Sequence, residues 1–307
     1  VTVSQNYKTI GRKQVAKPKS RGYKPGFMSS VKFASADFKQ RWLIQEILVA
    51  DQPAVIGGAP KSLKTGLAID MAISLGTGTP FLGKFAVPCG VPVAFISGES
   101  GAATIQNAAR RISAARDVTL DDCEIFWSFR LPRLGSARDI SALVAEIRKH
   151  KIKVVFIDPL YLCLSLGGGP VASSNLYDVG PRLLKACRRI LRAGATPILI
   201  HHSRKESKSQ SGPQKMDLQD LSFAGIAEFA RQWILLARLQ PFDPAHGKHQ
   251  LSMNVGGSAG HSGLWQVNVT EGQLKKDFTG RKWKVSVNAM NSDEDDATSA
   301  TKMSRAK

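Results

Sequence analysis

The stretch Pro53-Ala54-Val55-Ile56-Gly57-Gly58-Ala59-Pro60-Lys61-Ser62-Leu63-Lys64-Thr65-Gly66 decides how the rest of the chain is read. Ala54-Val55-Ile56 is a short apolar run between a proline and a glycine pair, the composition of a buried strand. After Gly66, Leu67-Ala68-Ile69-Asp70-Met71-Ala72-Ile73-Ser74-Leu75 carries apolar residues at helical spacing. Strand, glycine-bearing loop, Lys-Thr and helix is the order that a phosphate-binding loop requires. Backbone N–H groups of the loop and of the helix N-terminus point at a polyphosphate, the lysine neutralises its outer charge, and the threonine hydroxyl ligates magnesium. The expected nucleotide-binding residues are Gly58, Ala59, Pro60, Lys61, Ser62, Leu63, Lys64, Thr65 and Gly66. Leu63 stands where the usual spacing has a second glycine. It keeps the N–H that a phosphate needs, at about 1–2 kcal/mol if the position demands a left-handed backbone.

Working outward, three further apolar runs end in polar residues. Val91-Pro92-Val93-Ala94-Phe95-Ile96-Ser97 runs into Gly98-Glu99-Ser100-Gly101. A carboxylate there either polarises the water that attacks a terminal phosphate or complements the dipole of the helix expected over 102–115. Lys153-Val154-Val155-Phe156-Ile157 is capped by Asp158-Pro159, either a magnesium-site carboxylate or a strand-terminal turn. Thr196-Pro197-Ile198-Leu199-Ile200 ends in His201-His202-Ser203-Arg204-Lys205, where polar groups would lie near a terminal phosphate. Adjacent histidines leave a strand on opposite faces, which argues against zinc. Between these runs, helices are expected over 137–150 and 176–193, the latter with Arg182, Lys185, Arg188, Arg189 and Arg192 on a basic face.

The flanks set the organisation. Residues 1–35 carry lysine and arginine without a helical period and read as a disordered basic arm. Residues 36–287 read as one domain and 288–307, with Asp293-Glu294-Asp295-Asp296, as a disordered tail. Phe38, Trp42, Leu43, Ile47 and Leu48 suggest a short amphipathic element. Beyond 232, alternating runs between Gly/Ser/Asn turns read as antiparallel strands, while His246 and His249 are assigned to a polar loop. The Gly256–Gly263 turn is either a nucleic-acid loop or a hairpin. A net charge of +19 points to a polyanionic partner, nucleic acid first among them. No apolar run is long enough to cross a bilayer, and the four scattered cysteines fit a reducing cytoplasm rather than zinc or disulfides.

Gly57 through Lys64, Phe95 to Glu99, Val155 to Tyr161, His201 to Lys205, and Phe223-Ala224-Gly225 with Glu228 to Trp233 together resemble the RecA-like ATPases of the RepA type, relatives of ring-forming replicative helicases of the DnaB kind. The resemblance spans roughly Trp42 to Val287. It implies an α/β fold with a mainly parallel RecA-like P-loop core, extended here by C-terminal antiparallel strands, and ATP with Mg2+ as cofactors. It also implies a site assembled between subunits of a homo-oligomer, a hexameric ring, acting on single-stranded DNA. Lys64 and Thr65 match the phosphate-loop lysine and hydroxyl, Glu99 the water-activating glutamate, Asp158 the metal-associated aspartate, and His201 or His202 the sensor region. Arg231 is the candidate finger reaching a neighbour's ATP, with Arg238 competing. The function expected is a DNA helicase or translocase; the alternative is an ATP-gated DNA-binding protein with slow turnover.

Overall fold

The computed structural model describes residues 25–165, 176–203, 215–222, 225–277 and 279–290. The chain divides into two units, 1–39 and 40–307. In the first, helix α1 (Ser30–Ser35) lies inside the stretch read as an arm, and its Ser29 hydroxyl accepts from the Lys32 amide as an N-cap. The rest of that arm, 1–24, and most of the tail, 291–307, lie outside the described residues, as do 166–175, 204–214 and 223–224.

The second unit starts with a small antiparallel pair, β1 (Trp42–Ile44) and β2 (Leu48–Val49), where the sequence suggested one amphipathic element. In chain order there follow β3 (Ala54–Gly58), α2 (Lys64–Thr77), β4 (Val93–Ser97), α3 (Ala102–Ala114), β5 (Ile125–Ser128), α4 (Ala137–Lys149) and β6 (Val154–Asp158). Then come α5 (Leu160–Ser165), α6 (Leu176–Arg192), β7 (Thr196–His202), α7 (Ile226–Phe229), β8 (Gln232–Arg238), β9 (Lys248–Gly257), β10 (Ser262–Thr270) and β11 (Lys284–Ala289). Among the described residues nine strands form one sheet in the order β11-β10-β9-β8-β3-β7-β6-β4-β5. From β8 to β5 neighbours are parallel; β9, β10 and β11 extend the sheet antiparallel. This is the expected α/β architecture. The 256–263 turn is the β9–β10 hairpin.

Strand periodicity divides the core into two layers. Ala54, Ile56, Val93, Phe95, Val154, Phe156, Ile198, Ile200, Ile234 and Leu236 pack on the face covered by α2 and α3. Val55, Ala94, Ile96, Val155, Ile157, Leu199, Leu235 and Ala237 pack on the other, against residues of α4 to α7. Both faces being covered explains why these strands read as continuous apolar runs rather than alternating ones. The parity also assigns the polar strand ends. Gly58, Ser97, Asp158 and His202 continue the series facing α2, while His201 continues the opposite one. Among the described residues, no helix is long and apolar enough to cross a membrane.

Candidate active site

All the parallel strands end on one side of the sheet, and there β3 passes through 59–63 into α2. Gly58 has to be glycine: a Cβ would lie 2.5 Å from Ser62 Oγ and 2.8 Å from the Leu236 carbonyl. The loop is tight because Lys61 and Leu63 both take left-handed conformations, φ 61° and 63°. The Lys64 ammonium, 6% exposed, donates to the carbonyls of Gly58 at 2.9 Å and Ala59 at 2.7 Å. Burial pushes it down to about 8; Asp158 and Glu99 oppose that shift and Arg238 reinforces it.

At the first turn of α2, Thr65 Oγ1 donates to Asp158 Oδ2 at 2.8 Å, across 93 residues of sequence. Strand parity brings this about: Asp158 continues the Val154 and Phe156 series that faces α2, with Ser97 of β4 opposite it. Asp158 is nearly buried, and desolvation raises its carboxyl to about 6, with the Thr65 bond and Lys64 pulling down and Glu99 pushing up. Ser97 Oγ and Ser62 Oγ are buried hydroxyls without a hydrogen-bond partner among the described residues. Orphaned donors around a loop that a Cβ would fill fit a polyphosphate and the shell of a hydrated divalent cation.

Glu99 follows β4 in an exposed turn, its side chain 52% accessible, with its carboxylate 3.9 Å from His202 Nε2. Burial and Lys64 lower His202, against Glu99, and the Tyr161 ring lies 5.6 Å from its imidazole. His201 leaves β7 on the other face, fully buried, with Nε2 2.8 Å from the Ser222 carbonyl and 2.9 Å from Ser222 Oγ. Burial holds it down at about 4, a neutral structural imidazole. Of the two histidines, only His202 joins the group.

The structure thus gathers Lys64, Thr65, Glu99, Asp158 and His202. It does not bring Arg231 there. Arg231 precedes β8 at the amino end of the sheet, where its N–H bonds the Pro53 carbonyl at 3.2 Å. β8 itself lies inside the sheet, between β3 and β9. Arg238, at the carboxyl end of β8, is the arginine that reaches the phosphate loop, donating to the Lys61 carbonyl. Its signal in sequence was position: seven residues carry β8 from one end of the sheet to the other. Ser97 gave no signal, because a serine ending an apolar run is an ordinary strand terminus.

Residues 26–208, more than half of the chain, match the family model described as AAA domain. The chain belongs to this family. No curated protein matches it. Among solved structures, a KaiC-like protein from the hyperthermophilic archaeon Pyrococcus horikoshii OT3 superposes with a TM-score of 0.48 at 16% identity, covering 80% of this chain and 93% of that one. The AAA domain match takes in β3 to β7 and hence Lys64, Thr65, Glu99, Asp158 and His202, which makes the chain a P-loop ATPase.

Proposed function

We propose that this P-loop ATPase acts on nucleic acid, as a DNA helicase or translocase of the RepA type that hydrolyses ATP with Mg2+ at the subunit interfaces of a homo-oligomeric ring. The observation that supports the chemistry best is the Thr65–Asp158 bond beside the buried Lys64. Thr65 and Asp158 would hold the cation, which supplies charge neutralisation on the phosphates. Lys64 would exchange its two loop carbonyls for phosphate oxygens, so its charge gains a better partner in the loaded site. Glu99, half exposed and next to His202, reaches solvent and would orient the attacking water and take its proton. His202 would report the phosphate's presence to β7. Arg231, at the far end of the sheet, could serve only a neighbour's ATP. The net charge of +19 supports the nucleic-acid partner.

One feature favours the slower, ATP-gated reading. Leu63 makes the loop a strained one, and Lys64 donates to two of its carbonyls. ATP turnover with and without single-stranded DNA, beside particle mass in ATP, tests the motor. Stimulation, a ring-sized particle and ATP-dependent strand displacement are expected. ATP-dependent DNA binding without displacement selects the gated binder, and indifference to DNA contradicts both.

A further inference from the structure

We propose that the outer face of α6 is a sequence-independent binding surface for a nucleic-acid phosphate backbone. The inference rests on the nucleic-acid reading above and gives it a location. Arg182, Lys185, Arg188, Arg189 and Arg192 lie within one side of the helix at its 3.6-residue period, over about 15 Å. Lys185, Arg188 and Arg192 are exposed, Arg182 and Arg189 half-buried. Lys185, Arg188, Arg189 and Arg192 form no ion pair among the described residues. Arg189 is fixed by neutral partners, donating to the Ala137 carbonyl at 3.2 Å and Ser141 Oγ at 2.8 Å. Lys185, Arg188, Arg189 and Arg192, with Pro181 and Leu184, line a groove of about 380 Å³. The adjoining cavity of about 440 Å³ adds Arg231 beside Arg188; Glu228 lines it too but pairs with neither.

Like charges three and four residues apart destabilise a helix, each pair by about 0.2–0.5 kcal/mol. Here the sequence places several such pairs on one face, and Asp178, four residues before Arg182, is the one carboxylate of the helix. A polyanion removes that repulsion and releases its own counterions as it binds. The chemistry on the face is cationic, with guanidinium forks that suit phosphate oxygens and, from Pro181 to Arg192, no aromatic ring to read or stack a base. A bilayer is the poorer occupant. Leu184 is the one large exposed apolar side chain among the described residues of the helix.

The test uses the full chain and a dye-labelled oligothymidylate, with binding measured by anisotropy over a range of potassium chloride. The variant Lys185→Glu/Arg188→Glu/Arg192→Glu is compared with a charge-matched control, Arg110→Glu/Lys276→Glu/Lys284→Glu, at exposed cations elsewhere. The α6 variant is expected to melt with the wild type, bind at least about tenfold more weakly, and lose about 2 from the slope of log K against log salt. The control is expected to stay near wild type. Wild-type affinity and slope in the α6 variant, or equal loss in both variants, overturns the α6 assignment and leaves the proposed function standing. Failure of the wild type to bind any oligonucleotide overturns both. Co-sedimentation with vesicles containing phosphatidylserine, without oligonucleotide binding, assigns the face to a membrane and overturns the inference.

Discussion

Leu63 sits at φ 63°, ψ 17° as the residue before α2, half-buried and packed on the core layer under that helix. The sequence showed the departure from glycine; only the structure shows that the position is left-handed. In a helix interior alanine is more stable than glycine by about 1 kcal/mol. At Leu63 the order should invert, because alanine keeps the strain and glycine relieves it. Denaturant unfolding is expected to find Leu63→Gly about 1–2 kcal/mol more stable than Leu63→Ala. Equal stabilities would mean that the loop relaxes. Asp158 gives a prediction with a pH sign. Its folded value, about 6, lies above the ordinary 3.8, so the folded chain holds the extra proton between those values. That stabilisation is fully present below the unfolded value and is lost as pH rises through the folded one. Asp158→Asn, measured without nucleotide or metal, should therefore gain up to about 3 kcal/mol over wild type above pH 6 and nothing below pH 4. A pH-independent difference would contradict it.

At the scale of elements, α2 is anchored by a charge that its sequence pattern disguises. Asp70, a carboxylate among the apolar residues of α2, is fully buried. It pairs with Arg116 beyond α3, accepts from the Leu82 amide at 3.0 Å, and accepts from Trp283 Nε1 at 2.7 Å. Asp70→Ala leaves the Arg116 guanidinium buried without its carboxylate, so thermal or denaturant unfolding should show about 3–5 kcal/mol of lost stability. A loss below about 1 kcal/mol would mean that water replaces the carboxylate. His249 is a similar case. Assigned from sequence to a polar loop, it is buried on β9, 3.0 Å from Glu271, which also pairs with Arg111 and Arg281. Both clusters depend on partners far apart in the chain, Trp283 being 213 residues from Asp70, and no local pattern encodes such a meeting. The parallel strands, by contrast, were legible because burial on both faces writes itself as an apolar run. The site was legible because its residues follow those runs directly: Glu99, Asp158 and His202 each stand at a strand's carboxyl end. Choosing between His201 and His202 needed only the parity of β7, whereas placing Arg238 rather than Arg231 at the loop needed the strand's ends.

At the scale of the molecule, the sheet carries its chemistry at the carboxyl ends of the parallel strands and Arg231 at the amino end of β8. If Arg231 serves a neighbour's ATP, subunits carrying Lys64→Ala mixed with subunits carrying Arg231→Ala should recover ATP turnover that neither has alone. Arg238, bonded to its own loop, should give no such recovery when Arg238→Ala replaces Arg231→Ala in the mixture. Recovery with Arg238→Ala alone would reverse the two roles. Whatever the assembly, the convergence of Lys64, Thr65, Asp158 and Glu99 is what the account stands on. Its most direct test is a paired measurement of MgATP affinity and turnover in Lys64→Ala and Glu99→Gln. Lys64→Ala should lose binding, whereas Glu99→Gln should bind as wild type and turn over at least about a hundredfold more slowly. Wild-type turnover in Glu99→Gln, or undiminished MgATP binding in Lys64→Ala, would contradict it.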